Sequence, residues 1–475
     1  MGHRGGESRE QVALFPLMLD ELVGSDSLVR VIDAWVGSLQ LAKLGFAKAV
    51  PQRMGTPPYD PADLLKLYIW GYLDAVRSTR GLERECHRNV ECMWLMRRLV
   101  PDHKTIANFR RDNAQPLVAV CAAFVQFARA QRLIAGRTVA VDGTKIRAVA
   151  SRKAVVGRRE LESRAKRNAQ EIEEYLKLLD SQDAQETARE GGDGGGDVRQ
   201  ALKALETQRD EIQAELQQLA SDSATRVRGE EDAQVMHSLH AAPGYNLQTA
   251  VESGSHLIVA HEVTSEANDK RQLAPMAQAA SQALGQPCIA IADTGYANGE
   301  QIAQLQDQGI TTYVAVNRSV NNQGGGDLYD RTAFTYDQAT DSYCCPAGNL
   351  LARKKVSQRD KQVIYAARKE DCGNCGLKAN CTNAKRRSVS RHLHEDALEA
   401  NAQRLAEQPE MMTLRRQTVE HPFDFIKNRV FVNARLLLRG KSGAAAECSL
   451  AVLAYNVKRV FNMKGGHWMR AAMQG

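Results

Sequence analysis

RTVAVDGTKIRA, residues 137–148, and CIAIADTGY, residues 288–296, decide the fold. Each starts with the apolar and β-branched density of a strand and runs into an acid with a glycine close behind it. The first reads as a strand that ends at Asp142 and Gly143, the second as a buried strand that ends at Asp293. Between them lie two more strand-like runs, GYNLQTAVES (244–253) and HLIVAHEVT (256–264), joined by a Gly/Ser turn, and a helical run from about Lys270 to Ala283. TTYVAV, Thr311 to Val316, follows a short helical stretch and reads as another strand. Strands alternating with helices predict an α/β sheet, whose strand ends display reactive side chains such as Asp142 and Asp293.

Working outward, Leu161, Ala165, Asn168, Ile172, Tyr175 and Leu179 keep alternating four and three spacings, as do Val198, Leu202, Leu205, Ile212, Leu216 and Leu219 apart from Arg209. The run GGDGGGD, Gly191 to Asp197, breaks the two stretches, which predicts an antiparallel helical hairpin inserted after the first strand. On the N-terminal side, Ser27 to Leu133 reads as several helices, including DPADLLKLYIWGYLDAV (60–76), which Asp60 or Pro61 starts. A basic segment, residues 78–113, carries Arg84, Arg88, Arg97, Arg98, Lys104, Arg110 and Arg111 and has a helix-turn-helix-like rhythm. Contacts to DNA phosphates are expected there, although a solvated helical face would show many of the same residues. The predicted organisation is an N-terminal helical DNA-binding domain (1–133) and a second domain (134–470), the latter carrying the hairpin (152–228) and a basic, cysteine-bearing insertion (317–401). Its C-terminal part, from Met411 to Phe461, is helical.

The 475 residues are 43% hydrophobic and 25% charged, which excludes wholesale disorder and a fibrous chain. Lys+Arg minus Asp+Glu is 63 − 56 = +7, so contacts to a polyanion must come from local clusters. No apolar run is long enough to cross a bilayer, and MGHRGGESREQ lacks the apolar core of a secretion signal, so the cytoplasm is expected, on the nucleoid when DNA is bound. Five of ten cysteines crowd between Cys344 and Cys381. Cys345, Cys372, Cys375 and Cys381 include a CGNC pair and could form a tetrahedral Zn²⁺ site; reduced, unliganded thiols are the alternative. Cys86, Cys92, Cys121, Cys288 and Cys448 read as packing residues, and His237, His240, His256 and His261 as surface or core histidines.

Asp142, Asp293 and Glu420, if they converge, form a carboxylate cage for two Mg²⁺ or Mn²⁺ ions able to drive an in-line phosphodiester displacement. A single acid after a strand is more often a cap, so the signal is the combination. VDGTKIRA (141–148), GYNLQTAV (244–251), ADTGYAN (292–298), VEHPFDFIK (419–427), LLLRG (436–440) and LAYNVKR (453–459), in this order, resemble the bacterial insertion-sequence transposases with an Asp-Asp-Glu triad. The resemblance covers the chain from near Pro58 to about Phe461. It implies a ribonuclease-H-like mixed sheet core with Asp142, Asp293 and Glu420 as metal ligands, cleavage at transposon terminal inverted repeats, joining of the 3′ hydroxyl to target DNA, and a homodimer on DNA. The helix around Glu420 also resembles the Tyr-Arg-Glu-Lys signature of one branch, through Arg416, Glu420 and Lys427, which can share a helical face beside a phosphate. Thr413 stands at the tyrosine position, and Asp424 where relatives usually carry glycine. A metal-dependent nuclease or resolvase of the same fold, or a DNA-binding derivative without catalysis, are the competing readings.

Overall fold

Side-chain caps start the N-terminal helices where the sequence places them. In the computed structural model, which describes residues 18–50, 57–186, 196–219, 225–315 and 328–474, Ser27 caps α1 (Leu28–Ser38) and Asp60 caps α2 (Pro61–Leu73), with Pro61 in its first turn. α3 (Thr79–Arg88), α4 (Val90–Leu95), α5 (His103–Asp112, capped by Asp102) and α6 (Ala114–Ala130) complete a helical head. This head does not bury a core of its own: Leu65, Trp35 and Phe124 belong to the same hydrophobic cluster as Val139 and Val141 of the sheet. The link is a late helix described below.

β1 (Thr138–Arg147) is the middle strand of the main sheet. The short pair β2 (Val155–Gly157) and β3 (Thr225–Val227) closes the base of the inserted hairpin, α7 (Arg158–Glu186) and α8 (Gly196–Gln218). Leu161 and Ile212 are buried between its arms, and the Asn168 amide donates to the Leu205 carbonyl at 3.0 Å, so the expected seam forms at the base. Gly191 to Gly195 of the glycine run, Val316 and the beginning of the cysteine-bearing insertion lie outside the described residues, as do the side chains of Leu179 and Val198.

β4 (Gln234–Met236), β5 (Ala242–Glu252), β6 (Ile258–Thr264), β7 (Ile289–Ala292) and β8 (Thr311–Val314) complete the sheet in the order β6-β5-β1-β7-β8, with β4 on the start of β5. The pairs β6/β5 and β5/β1 are antiparallel, β1/β7 and β7/β8 parallel. α9 (Leu273–Leu284) and α10 (Gly299–Asp307) supply the crossovers that parallel pairing requires. One expectation fails here: β1 does not stop at Asp142 and Gly143. It pairs on through Gly143↔Gln248 to Arg147↔Gly244, because the long antiparallel partner β5 keeps supplying backbone groups after the parallel partner β7 has ended.

The insertion is more ordered than its polar sequence predicts, forming a five-stranded antiparallel sheet of β9 (Thr335–Asp337), β10 (Ser342–Cys344), β11 (Leu350–Ser357), β12 (Gln362–Ala366) and β13 (Ser388–His392), with a short α11 (Lys369–Gly373) before the last strand. Leu351, Val363, Tyr365 and Val389, at inward positions of β11, β12 and β13, build its small core with Phe334 and Tyr343. α12 (Glu395–Glu407) runs through the expected boundary at residue 401, where buried Asn401 bonds both backbone groups of Val314. α13 (Glu410–Asp424) continues into a π-helical turn, Phe425–Val430, just after Pro422. α14 (Gly440–Lys464) is the link between head and sheet. Its buried Glu447 accepts from Arg77 (3.2 Å) and Tyr72 (3.4 Å) of the head and from the amides of Leu437 and Leu438 (2.7 and 2.6 Å).

Candidate active site

Strand alternation places two acids on one face. Ala140 and Ile291 pack against Val419 and Phe423 of α13, so the residues two further on, Asp142 and Asp293, emerge on that same face. Ala140 pairs with Ile291 across β1/β7, which puts the acids side by side where β7 ends. Asp142 takes its own Gly143 amide at 2.8 Å; Asp293 caps a one-turn helix and takes the Gly295 amide at 2.8 Å. Gly143 has to be glycine, since a Cβ there would stand 2.2 Å from the Gln248 amide nitrogen.

One cation joins the two carboxylates. Nη2 of Arg415, on α13, lies 2.9 Å from Asp142 and 3.0 Å from Asp293. Burial nevertheless pushes the Asp142 carboxyl up to about 6, with Asp293 and Asp269 adding repulsion and Arg415 and the Gly143 amide pulling the other way. Beneath the pair lies a polar knot: Oδ1 of Asp269 receives Lys145 (2.8 Å), Asn246 (2.8 Å) and Gln248 (2.7 Å), and Gln248 in turn accepts from the buried Tyr296 hydroxyl at 2.5 Å.

Above the pair, a groove of about 340 Å³ is lined by Asp142, Arg415, Arg416, Glu420, Asp424 and Lys427, among others. The structure therefore brings Glu420, Arg416 and Lys427 to the groove of Asp142, although Lys427 reaches it from the π-helical turn and not from α13 itself. Among the described residues, no three His, Cys, Asp or Glu side chains are placed to share one metal ion; Glu420 is exposed at the rim. Asp424 is held by the Asn428 amide at 2.7 Å, and Arg416 reaches Thr413 at 3.5 Å.

Sequence reasoning missed Arg415 and Asp269. Arg415 sits midway in the stripe Met411–Arg415–Val419 that faces the sheet, and a charge inside an apolar stripe signals a buried partner. Asp269 lies in an aperiodic loop, announced only by the two amides, Asn246 and Gln248, at alternate positions of a fully buried strand.

The basic head divides into three groups. Arg110 is a correction: it lies 4% exposed in the bundle, stacked 5.5 Å from the centre of the Tyr68 ring and donating to the Arg77 carbonyl, so it offers nothing to DNA. Arg88, Arg97 and Arg111 are exposed but paired with Glu85, Asp63 and Asp112. Arg98 and Lys104 are exposed without an acidic partner among the described residues.

The cysteine cluster sits on the second sheet, where Cys345, Cys372 and Cys381 pack at the edge of its core. Cys345 accepts from the Asn349 amide (3.3 Å) and Cys372 from the Arg387 amide (3.4 Å). Burial, followed by the nearness of Cys345, Cys372 and Cys375, pushes the Cys381 thiol up against the pull of Arg387. Cys86, Cys92, Cys121, Cys288 and Cys448 are buried, as expected. His261 is half-buried and bonded to the Ser449 hydroxyl at 2.8 Å, while His237 and His240 are exposed.

Two family models match the chain: a transposase domain (DUF772) over residues 17–112 and a transposase DDE domain over residues 224–457. None of the curated proteins and none of the solved structures compared with the chain matches it.

Proposed function

Because the chain belongs to the DDE transposases of insertion sequences, enzymes that cut and rejoin DNA, we propose that Asp142, Asp293 and Glu420 are its catalytic carboxylates, set in a ribonuclease-H-like sheet. The strand order β6-β5-β1-β7-β8, antiparallel on one side of β1 and parallel on the other, supports that fold. The observation that carries the site is the shared guanidinium: two carboxylates already converge on one positive charge at the foot of the groove that Glu420 rims.

The donor set fits Mg²⁺ or Mn²⁺, since it offers carboxylate oxygens and no softer ligand. Divalent cations bound there supply activation of an attacking oxygen and stabilisation of the leaving oxygen. The chain's own residues do the rest. Asp142 and Asp293 hold positive charge where β7 ends, and Arg416 and Lys427 offset the charge of a phosphate lying along the groove. Arg98 and Lys104 contribute phosphate contacts from the head, and the family's chemistry, the joining of two ends, is the support for terminal-repeat DNA as substrate and for a homodimer on it. Asp424, turned to Asn428, is compatible with an active site that still accepts phosphate.

A zinc ion on Cys345, Cys372, Cys375 and Cys381 is the second element of this reading. Its support is the mutual nearness of the four thiols and the backbone amides that two of them already accept. Their side chains must turn to reach a common centre. Elemental analysis should find one zinc per chain; a fully folded preparation without zinc would favour reduced thiols.

The function is tested with end DNA and a target plasmid in Mg²⁺, scoring nicking and joining separately. Nicking and joining together are expected. Nicking without joining would reduce the enzyme to a nuclease, and binding without either to an inactive derivative.

A further inference from the structure

Arg415 occupies a position that the mechanism above does not use. A single nitrogen of it touches both Asp142 and Asp293, its side chain is only 14% exposed, and its Nε is buried with no hydrogen-bond partner among the described residues. The first fact makes it a substitute for a cation between the two acids. The last shows that this seat leaves a guanidinium donor unmet.

We propose that Arg415 is an internal counter-ion that occupies the cation seat between the Asp142 and Asp293 carboxylates and leaves it when a divalent cation enters. The inference rests on reading these two acids as cation ligands. The stripe Met411–Arg415–Val419 fixes the arginine over them, because its neighbours at i−4 and i+4 pack on the sheet. Exit is open: Arg415 also lines the groove that carries Arg416 and Lys427, so a displaced guanidinium moves to water or to a phosphate there. A divalent cation brings two positive charges where the guanidinium brought one, so the exchange takes the acid pair from a net charge of about −1 to about zero.

The arginine and the metal then compete, and the competition can be read without turnover. Mn²⁺ binding is measured by electron paramagnetic resonance on the full chain as wild type, Arg415→Met, Arg415→Lys, Asp142→Asn, and Arg415→Met combined with Asp142→Asn. If the guanidinium is away from the acids in about a tenth of the molecules, its removal should tighten Mn²⁺ binding roughly tenfold. Arg415→Lys should stay near wild type, because the ammonium takes the same seat, and Asp142→Asn should abolish the tight binding of Arg415→Met. Unchanged or weaker binding by Arg415→Met, with Asp142-dependent binding intact in the wild type, overturns the counter-ion while sparing the cation site. No Asp142-dependent binding in any protein overturns both. Should Arg415→Met not fold, the wild type decides: the Arg415 Nε–H resonance, assigned by its loss in Arg415→Lys, must change its exchange with water on Mg²⁺ addition, and an unaltered resonance overturns the proposal.

Discussion

The acid groove and the helical head both gather charged residues, yet the structure treats them differently. In the groove, a half-buried arginine faces two acids across 2.9 and 3.0 Å, on a sheet whose strand register sets them side by side. In the head, the expected DNA-contacting residues scatter into core (Arg110), local ion pairs (Arg88, Arg97, Arg111) and exposed cations without an acidic partner among the described residues (Arg98, Lys104). The difference teaches that residue type is a weak guide to a charged site. Pairing and burial separate a charge that holds the fold from one that waits for a ligand.

The largest effect expected from this contrast is on the groove. Asp142→Asn, Asp293→Asn and Glu420→Gln should each lower strand cleavage by roughly a thousandfold or more while the proteins still fold and bind end DNA. Loss of DNA binding in step with cleavage would show that the acids serve the fold and not the chemistry.

Next comes the head. Arg110→Ala removes a buried cation from the Tyr68 face and leaves a hole, and should cost about 3 kcal/mol of stability in denaturant titration. Lys104→Ala should leave stability within about 0.5 kcal/mol and instead lower the salt slope of end-DNA binding by about one. The reverse pattern, a stable Arg110→Ala protein with a lowered slope, would return Arg110 to the DNA surface.

A smaller effect separates the acids by pH. Since Asp142 is pushed up to about 6, it is ionised only above that value, and cleavage should fall about tenfold per unit as pH drops below 6. Stability runs the other way. The native Asp142 holds its proton more tightly than an unfolded carboxyl at 3.8, so its stabilising contribution is complete below 3.8 and is lost as pH rises through about 6. Asp142→Asn should remove that slope from pH-dependent melting, and an unchanged slope would assign it elsewhere.

Much of the main sheet was legible because period-2 runs such as GYNLQTAV bury one long strand completely, and Asp142 and Asp293 follow from the same alternation. The end of β1 was misplaced because a glycine after an acid looks like a turn, whereas Gly143 is there for the close approach of Gln248. Arg110 was misread because a terminal-turn arginine is usually solvated, and nothing local announces that Tyr68, on another helix, lies beneath it. The second sheet escaped notice because strands of three to eight residues with charged alternate positions resemble loops. The shared core of head and sheet depends on α14, whose Glu447 meets Arg77 370 positions away, a pairing with no local signature.

The central claim is that Asp142, Asp293 and Glu420 work as one cation-dependent unit. It is tested most directly by cleavage rates, in Mg²⁺ on end DNA, of the Asp142→Asn, Asp293→Asn and Asp142→Asn/Asp293→Asn proteins measured side by side. Acids that serve one unit predict a double variant about as slow as either single one, because the first change already disables the site. Losses that multiply, so that the double variant falls by the product of the two, would show that the acids act independently and contradict a shared cation site.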